Sequence, residues 1–144
     1  MRVVIDTNLL ITYLISHRDP MATIIDDHLA QGDFVVLSSP ELLAELDRAL
    51  SYPRLQKFYD KDTRLRFVAL IAQLAEMQDL PDEIPAISRD PDDDKFIACA
   101  IAGRADFLVS GDQDLLTLER VGDVRIITAR ELLEILTALS PEIP

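Results

Sequence analysis

Cysteine is almost missing from this chain. Cys99 stands alone among 144 residues, so no intramolecular disulfide can brace the fold, and a reducing compartment fits. It lies within Phe96-Ile97-Ala98-Cys99-Ala100-Ile101, where a small buried apolar side chain is expected rather than a reactive thiol. Long apolar runs are missing as well. None approaches the ~18 residues that a membrane span needs. The apolar stretch Val3-Val4-Ile5 before Asp6 is too short for the apolar region of a secretion signal. The expectation is a cytoplasmic protein with no membrane contact. Zinc-type ligand spacing is absent, because the only histidines are His17 and His28, and both read as surface helical residues. Positive charge is scarce: 14 Lys and Arg stand against 26 Asp and Glu, a net charge of −12. Taken alone, that balance argues against a polyanionic partner.

What remains is the composition of a folded chain, 49% hydrophobic and 28% charged, not of a disordered one. A length of 144 residues fits one domain over residues 1–144, with Ser140 to Pro144 expected as a loose tail. Repeats, linkers and low-complexity tracts are not found. Apolar runs of strand length alternate with helical patterns, which predicts an α/β domain with a parallel sheet. The strands are expected at Val3-Val4-Ile5, Phe34 to Leu37, Glu76 to Leu80, Phe107 to Ser110 and Val124 to Ile127. Helices are expected after each. Asp19-Pro20 reads as the start of a helix ending near Gly32. Ser38 and Glu41 have capping-box spacing, and so do Thr128 and Glu131. Pro53 ends the helix that carries Leu42, Leu43, Leu46 and Leu50. A short basic helix follows, then a longer one with Leu65, Val68, Ile71, Ala72 and Ala75 on one face. The stretch from Pro81 to Pro91 reads as a loop, and Asp90-Pro91 caps a helix running to about Ala102, with Gly103 just past its end.

The acids are placed unevenly. Asp6 follows the first strand directly, and Asp112 follows the fourth, in Ser110-Gly111-Asp112-Gln113-Asp114. In open parallel sheets, ligands bind beyond the carboxyl ends of the strands, so both acids are aimed at a binding crevice, although either would also serve as a helix cap. Asp114 is left open between a place in the site and a cap. In Asp90-Pro91-Asp92-Asp93-Asp94, Asp90 reads as a cap, while Asp92 and Asp93 suit the positive end of the helix dipole. Asp94 shares a face with Ile97, Ala98 and Ile101, the stripe expected against the sheet. A charge there is costly unless paired, so Asp94 is the acid with no bland explanation. Glu45 sits mid-helix on the flank of the leucine stripe, where an exposed glutamate needs no explanation.

Clustered carboxylates repel one another unless a cation joins them. Hard oxygen donors suit Mg²⁺ or Mn²⁺, and an ion so held keeps several waters and takes phosphate oxygens as further ligands. That arrangement points to metal-dependent phosphodiester hydrolysis. One segment is locally basic: Arg48, Arg54, Lys57, Lys61, Arg64 and Arg66 stand against only Asp60 and Asp62. It is either a solvated helix face or a surface that holds a nucleic-acid backbone beside the acids.

Four segments resemble the motifs of one family in order. Val3-Val4-Ile5-Asp6-Thr7-Asn8 is similar to the opening motif of PIN domains. Ser39-Pro40-Glu41-Leu42-Leu43-Ala44-Glu45-Leu46 resembles their second, Asp90 to Ala100 their third, and Phe107 to Leu116 their fourth. The resemblance implies a three-layer α/β/α domain with about five parallel strands in the order 3-2-1-4-5. It implies Mg²⁺- or Mn²⁺-dependent cleavage of RNA by Asp6, Glu45, Asp94 and Asp112. Thr7, Asn8 and Ser110 would support them, Ser110 standing where many members have Thr. The length and the Asp-Pro-Asp-Asp-Asp-Lys-Phe segment look most like toxins of prokaryotic toxin–antitoxin modules of the VapC type, which implies a small antitoxin partner and a homodimer. The alternative is a catalytically inactive PIN-like module that binds RNA or protein. A receiver-type phosphoacceptor domain is disfavoured, because Asp6 lacks a neighbouring acid and Arg130 follows the last strand where a lysine would be expected.

Overall fold

The computed structural model describes residues 1–139; the tail expected over 140–144 lies outside the described residues. Six strands form the sheet: β1 (Arg2–Ile5), β2 (Val35–Ser38), β3 (Glu76–Met77), β4 (Phe107–Val109), β5 (Arg120–Val121) and β6 (Val124–Ile127). Their order is β3-β2-β1-β4-β6-β5. The first five strands in this order run parallel, with Val3 opposite both Val36 and Phe107, and Leu108 opposite Ile126. The expected order is therefore present, with one strand added. β5 is two residues long and pairs antiparallel with β6 through the turn at Gly122, whose φ of 58° is left-handed. Its pattern is too short to register as a strand period.

Continuous apolar runs make these central strands because both of their faces are covered. Val3, Ile5, Val36, Val109 and Ile127 point into one core, and Val4, Leu37, Leu108 and Ile126 into the other. Among the described residues, seven α-helices supply the outer layers: α1 (Thr7–Ser16), α2 (Met21–Thr23), α3 (Pro40–Leu50), α4 (Lys61–Leu74), α5 (Pro91–Ala102), α6 (Gln113–Leu116) and α7 (Ala129–Leu139). Leu10, Phe67, Ile71, Leu132 and Leu136, from α1, α4 and α7, close the first core. Phe96, Ile97, Cys99 and Ala100 from α5, with Leu115, close the second. α3 touches both, placing Leu42 in one and Leu46 and Leu50 in the other.

Several local expectations are met and some are corrected. Thr128 and Glu131 form a reciprocal cap, with Thr128 N donating to Glu131 Oε1 at 3.2 Å and Glu131 N to Thr128 Oγ at 3.2 Å. Asp19 Oδ1 accepts from Thr23 N at 2.9 Å, but the helix it opens passes into a π-helical stretch over Ile24–Leu29. That winding buries Ile24, Ile25, His28 and Leu29 together, and the segment ends near Gly32, where φ is +76°. Ser39, not Ser38, caps α3, its hydroxyl accepting from Leu42 N at 3.1 Å; Ser38 remains the last residue of β2. The basic segment after Pro53 makes only a 3₁₀ turn, Pro53–Leu55. α4 buries Phe67 and Ile71, whereas Leu65 and Ala72 face outward, so its inner face is rotated from the expected one. β3 is shorter than expected. Cys99 is fully buried, and burial pushes its thiol up to about 12. Among the described residues, no helix is long and apolar enough to cross a membrane.

Candidate active site

A cleft of about 260 Å³ opens beyond the carboxyl ends of β1 and β4. The β1 end contributes Asp6, Thr7 and Asn8, and the β4 end contributes Asp112. α3 contributes Glu45, Arg48 and Ala49, with Tyr52 just past its end. Asp90, Asp92, Asp93 and Phe96 come from the start of α5. This is the crevice that a parallel sheet offers to a ligand.

Asp6 is 3% exposed and does two things at once. Its Oδ1 accepts from Asn8 N at 3.1 Å, capping α1, while Oδ2 accepts from the Ser110 hydroxyl at 2.7 Å. Its own N–H donates to Val109 O at 2.9 Å, fixing the loop to β4. Ser110 is fully buried, and its oxygen also accepts from Asp112 N at 3.0 Å. One hydroxyl thereby ties the two strand-end acids together, a function that its place in a motif hints at and only the packing displays. Burial raises the Asp6 carboxyl above its ordinary range, and Asp112 adds to this, against the hydrogen bonds from Ser110 and Asn8. Asp112 in turn caps α6, its Oδ1 accepting from Asp114 N at 2.9 Å.

On α5 the acid that lines the cleft is Asp93 rather than Asp94. Asp94 does not line the cleft: its Oδ1 accepts from Ile87 N at 3.1 Å and from Ser88 N at 2.8 Å, so it pins the loop before α5. Asp93 faces the cleft instead. The reason lies in the rotation of α5. Residues three, four and seven beyond Asp93 are Phe96, Ile97 and Ala100, all at most 4% exposed, whereas Ile101, seven beyond Asp94, is 50% exposed. The stripe that packs on the sheet starts at Asp93, a helical spacing that the sequence offers for Asp93 and Asp94 alike.

One carboxylate oxygen from each of Asp93, Asp112 and Asp114 lies within 4.8 Å of the others. At that separation two like charges repel by roughly 3 kcal/mol at an effective dielectric of 20. Burial, then the neighbouring Asp112 and Asp90, push the Asp93 carboxyl up to about 7. Glu45 is also raised by burial, opposed by Lys95 and Arg48. Among the described residues, Glu45 Oε2 and Asp93 Oδ2 are buried with no hydrogen-bond partner. Buried carboxylate oxygens without a partner are costly, and both belong to cleft-lining side chains. None of the lining residues is Cys or His. An all-oxygen donor set with orphaned buried oxygens fits Mg²⁺ or Mn²⁺.

The remaining expected residues are dispersed. Of the basic set, only Arg48 lines the cleft. Arg54 lies over the Tyr52 ring at 5.9 Å, and Lys57 over Phe58 at 5.1 Å. Arg64 reaches from α4 toward Asp47 of α3 at 4.0 Å, and Arg66 pairs with Asp62 at 2.9 Å. Lys61 is the exposed first residue of α4. His17 pairs with Asp26, and His28, buried rather than on the surface, has Nδ1 2.8 Å from Asp33 Oδ2. Tyr52, Asp92 and Phe96 enter the lining without any signal that singled them out in the sequence.

The PIN domain family matches residues 2–114. The chain belongs to the PIN domain family. It is 30% identical over 117 residues to the uncharacterized protein MJ1680 of Methanocaldococcus jannaschii, covering 81% of this chain and 74% of that one. Its fold is similar to that of a chain in the crystal structure of VapBC2 from Rickettsia felis bound to a DNA fragment from their promoter. The TM-score is 0.61 at 17% identity, over 89% of this chain and 98% of that chain.

Proposed function

We propose that this PIN domain is a metal-dependent endoribonuclease that hydrolyses RNA phosphodiester bonds. The observation that carries this reading is the pair of buried, unpartnered oxygens, Glu45 Oε2 and Asp93 Oδ2, on the walls of a cleft that also holds Asp6 and Asp112. Asp93 and Asp112 are the first candidates to hold Mg²⁺ or Mn²⁺. Asp114 joins them on the strength of its oxygen's place in the same cluster, with Asp6 and Glu45 completing the acidic lining. The bound ion would supply Lewis-acid activation of water and offset charge on the phosphoryl group. The chain's own residues do the rest. Ser110 holds the Asp6 and Asp112 segments in register. Glu45 Oε2, buried on the cleft wall with no hydrogen-bond partner, is free to accept a proton. Arg48 is placed on the cleft wall to meet a phosphate. The net charge of −12 ceases to be an obstacle where bound metal reverses the local sign.

The fold shared with a VapBC2 chain supports carrying over a toxin–antitoxin setting. In this proposal the protein is the toxin, acts in the cytoplasm, forms a homodimer and is restrained by a small antitoxin. The test is cleavage of varied single-stranded RNAs by purified, antitoxin-free protein. Cleavage with Mn²⁺ or Mg²⁺ that EDTA abolishes is expected. Intact RNA with both ions, despite calorimetric evidence of Mn²⁺ binding, would overturn the nuclease reading in favour of a binding module.

A further inference from the structure

Tyr52 is a large aromatic side chain left 48% exposed on the wall of an acidic cleft. Single exposed aromatics are ordinary on a protein surface. This one differs in its setting. It continues the face of α3 that carries Glu45, Arg48 and Ala49, at spacings of three, four and seven residues, and all four line the cleft. Its backbone is held tightly. Tyr52 O accepts from Leu55 N at 3.0 Å and from Gln56 Nε2 at 3.1 Å, and Gln56 Nε2 also donates to Leu50 O at 2.9 Å. The buried Tyr59 hydroxyl donates to Leu50 O at 2.5 Å, anchoring the same helix end. Pro53 follows at once, restricting Tyr52 to extended backbone, where its ψ is 133°. The Arg54 guanidinium lies 5.9 Å from the ring centroid, a cation–π distance. The result is a half-exposed ring on a fixed backbone, with the Arg54 guanidinium over one face, the other left for a stacking partner, and Arg48 one helical turn earlier.

An aromatic face next to an arginine matches what an unpaired nucleotide presents, a base to stack and a phosphate to bind. A base inside a duplex already stacks on its neighbours and has no free face to offer. We infer that Tyr52 is a positioning residue on which one unpaired base of the RNA stacks, while Arg48 takes a phosphate of the same strand. Cleavage then favours unpaired RNA at this step. The inference rests on the nuclease reading above and deepens it by naming a residue that selects among RNAs.

The probe is a short single-stranded RNA carrying 2-aminopurine, whose fluorescence is quenched by stacking. Stopped-flow mixing with the Mn²⁺-loaded protein reads quenching ahead of cleavage, and steady-state cleavage gives KM and kcat separately. Wild type and Tyr52→Phe should quench the probe. Tyr52→Ala and Tyr52→Leu should lose the quench and raise KM by roughly 5- to 10-fold, the loss expected of one base–aromatic stack. The same strand annealed into a duplex should give no quench with any variant. Leucine keeps apolar bulk, so a loss shared by Ala and Leu but not Phe belongs to the ring. If Tyr52→Ala and Tyr52→Leu cleave with wild-type KM and quench fully, the platform is wrong and the nuclease reading survives. If wild type neither cleaves nor quenches, both fall.

Discussion

Replacing Asp93 with Asn removes one charge from a crowded cleft while keeping the side chain's shape, and its effect should change sign with metal and pH. In the metal-free protein the Asp93 carboxyl is raised from 3.8 to about 7, first by burial and then by Asp112 and Asp90. The folded chain therefore holds this proton more tightly than the unfolded chain does. Stability is highest below about pH 4 and falls as pH rises toward 7, because there the unfolded state has released a proton that the folded state still binds. At about 1.4 kcal/mol for each pH unit, a rise of this kind, shared with the neighbouring acids, makes the loss a few kcal/mol at most. Asp93→Asn should flatten that slope. In EDTA at pH 8 the variant should be the more stable protein in urea denaturation, by up to about that amount, and near pH 4 the two should converge. Saturating Mn²⁺ should reverse the order, since a ligand stabilises the folded state more the more tightly it binds and the variant has lost a candidate donor. Asp94→Asn should do the opposite. It weakens a charged acceptor shared by Ile87 N and Ser88 N, destabilising the fold by about 1–3 kcal/mol, yet it should keep stabilisation by Mn²⁺. If Mn²⁺ stabilises Asp93→Asn as much as wild type, or fails to stabilise Asp94→Asn, the assignment of these two acids is refuted.

Ser110→Ala strips Asp6 Oδ2 of its hydroxyl donor and Asp112 N of its acceptor in a fully buried place. A cost of about 1–3 kcal/mol and a weaker Mn²⁺ isotherm in calorimetry are expected; unchanged affinity would mean that the hydroxyl does not organise the acids. Gly103→Ala would put a Cβ 2.6 Å from Leu37 Cδ1 and 3.1 Å from Gln78 Cδ. Because Leu37 is buried in the core, it has little room to yield, and a loss of about 1–3 kcal/mol should appear as a lower denaturation midpoint. A midpoint equal to wild type would show that this corner is looser than its packing indicates.

The family was legible because its motifs are local patterns, and the sheet order followed only as what that resemblance implied. Val3-Val4-Ile5 and Phe107-Leu108-Val109 are apolar runs ended by polar residues and an acid, so a parallel sheet that pairs β1 with β4 delivers Asp6 and Asp112 to one crevice. The capping pair Thr128 and Glu131 is likewise complete within four residues. The third acid is a different kind of question. Successive residues on a helix point about 100° apart, and Asp92-Asp93-Asp94 precedes a segment that is apolar on more than one side. Sequence spacing allowed α5 to turn either Asp93 or Asp94 to the sheet. The packing of Phe96, Ile97 and Ala100 against β1 and β4 chooses Asp93, leaves Ile101 in solvent and gives Asp94 to the backbone of Ile87 and Ser88. Tertiary contacts also decide which cations are free: Arg64 turns toward Asp47, and Arg48 alone of the basic segment reaches the cleft. Sequence by itself determined that acids would gather at the strand ends. Which neighbour among three consecutive acids completes the cluster was decided by helix rotation, a quantity set by side chains far apart in the chain.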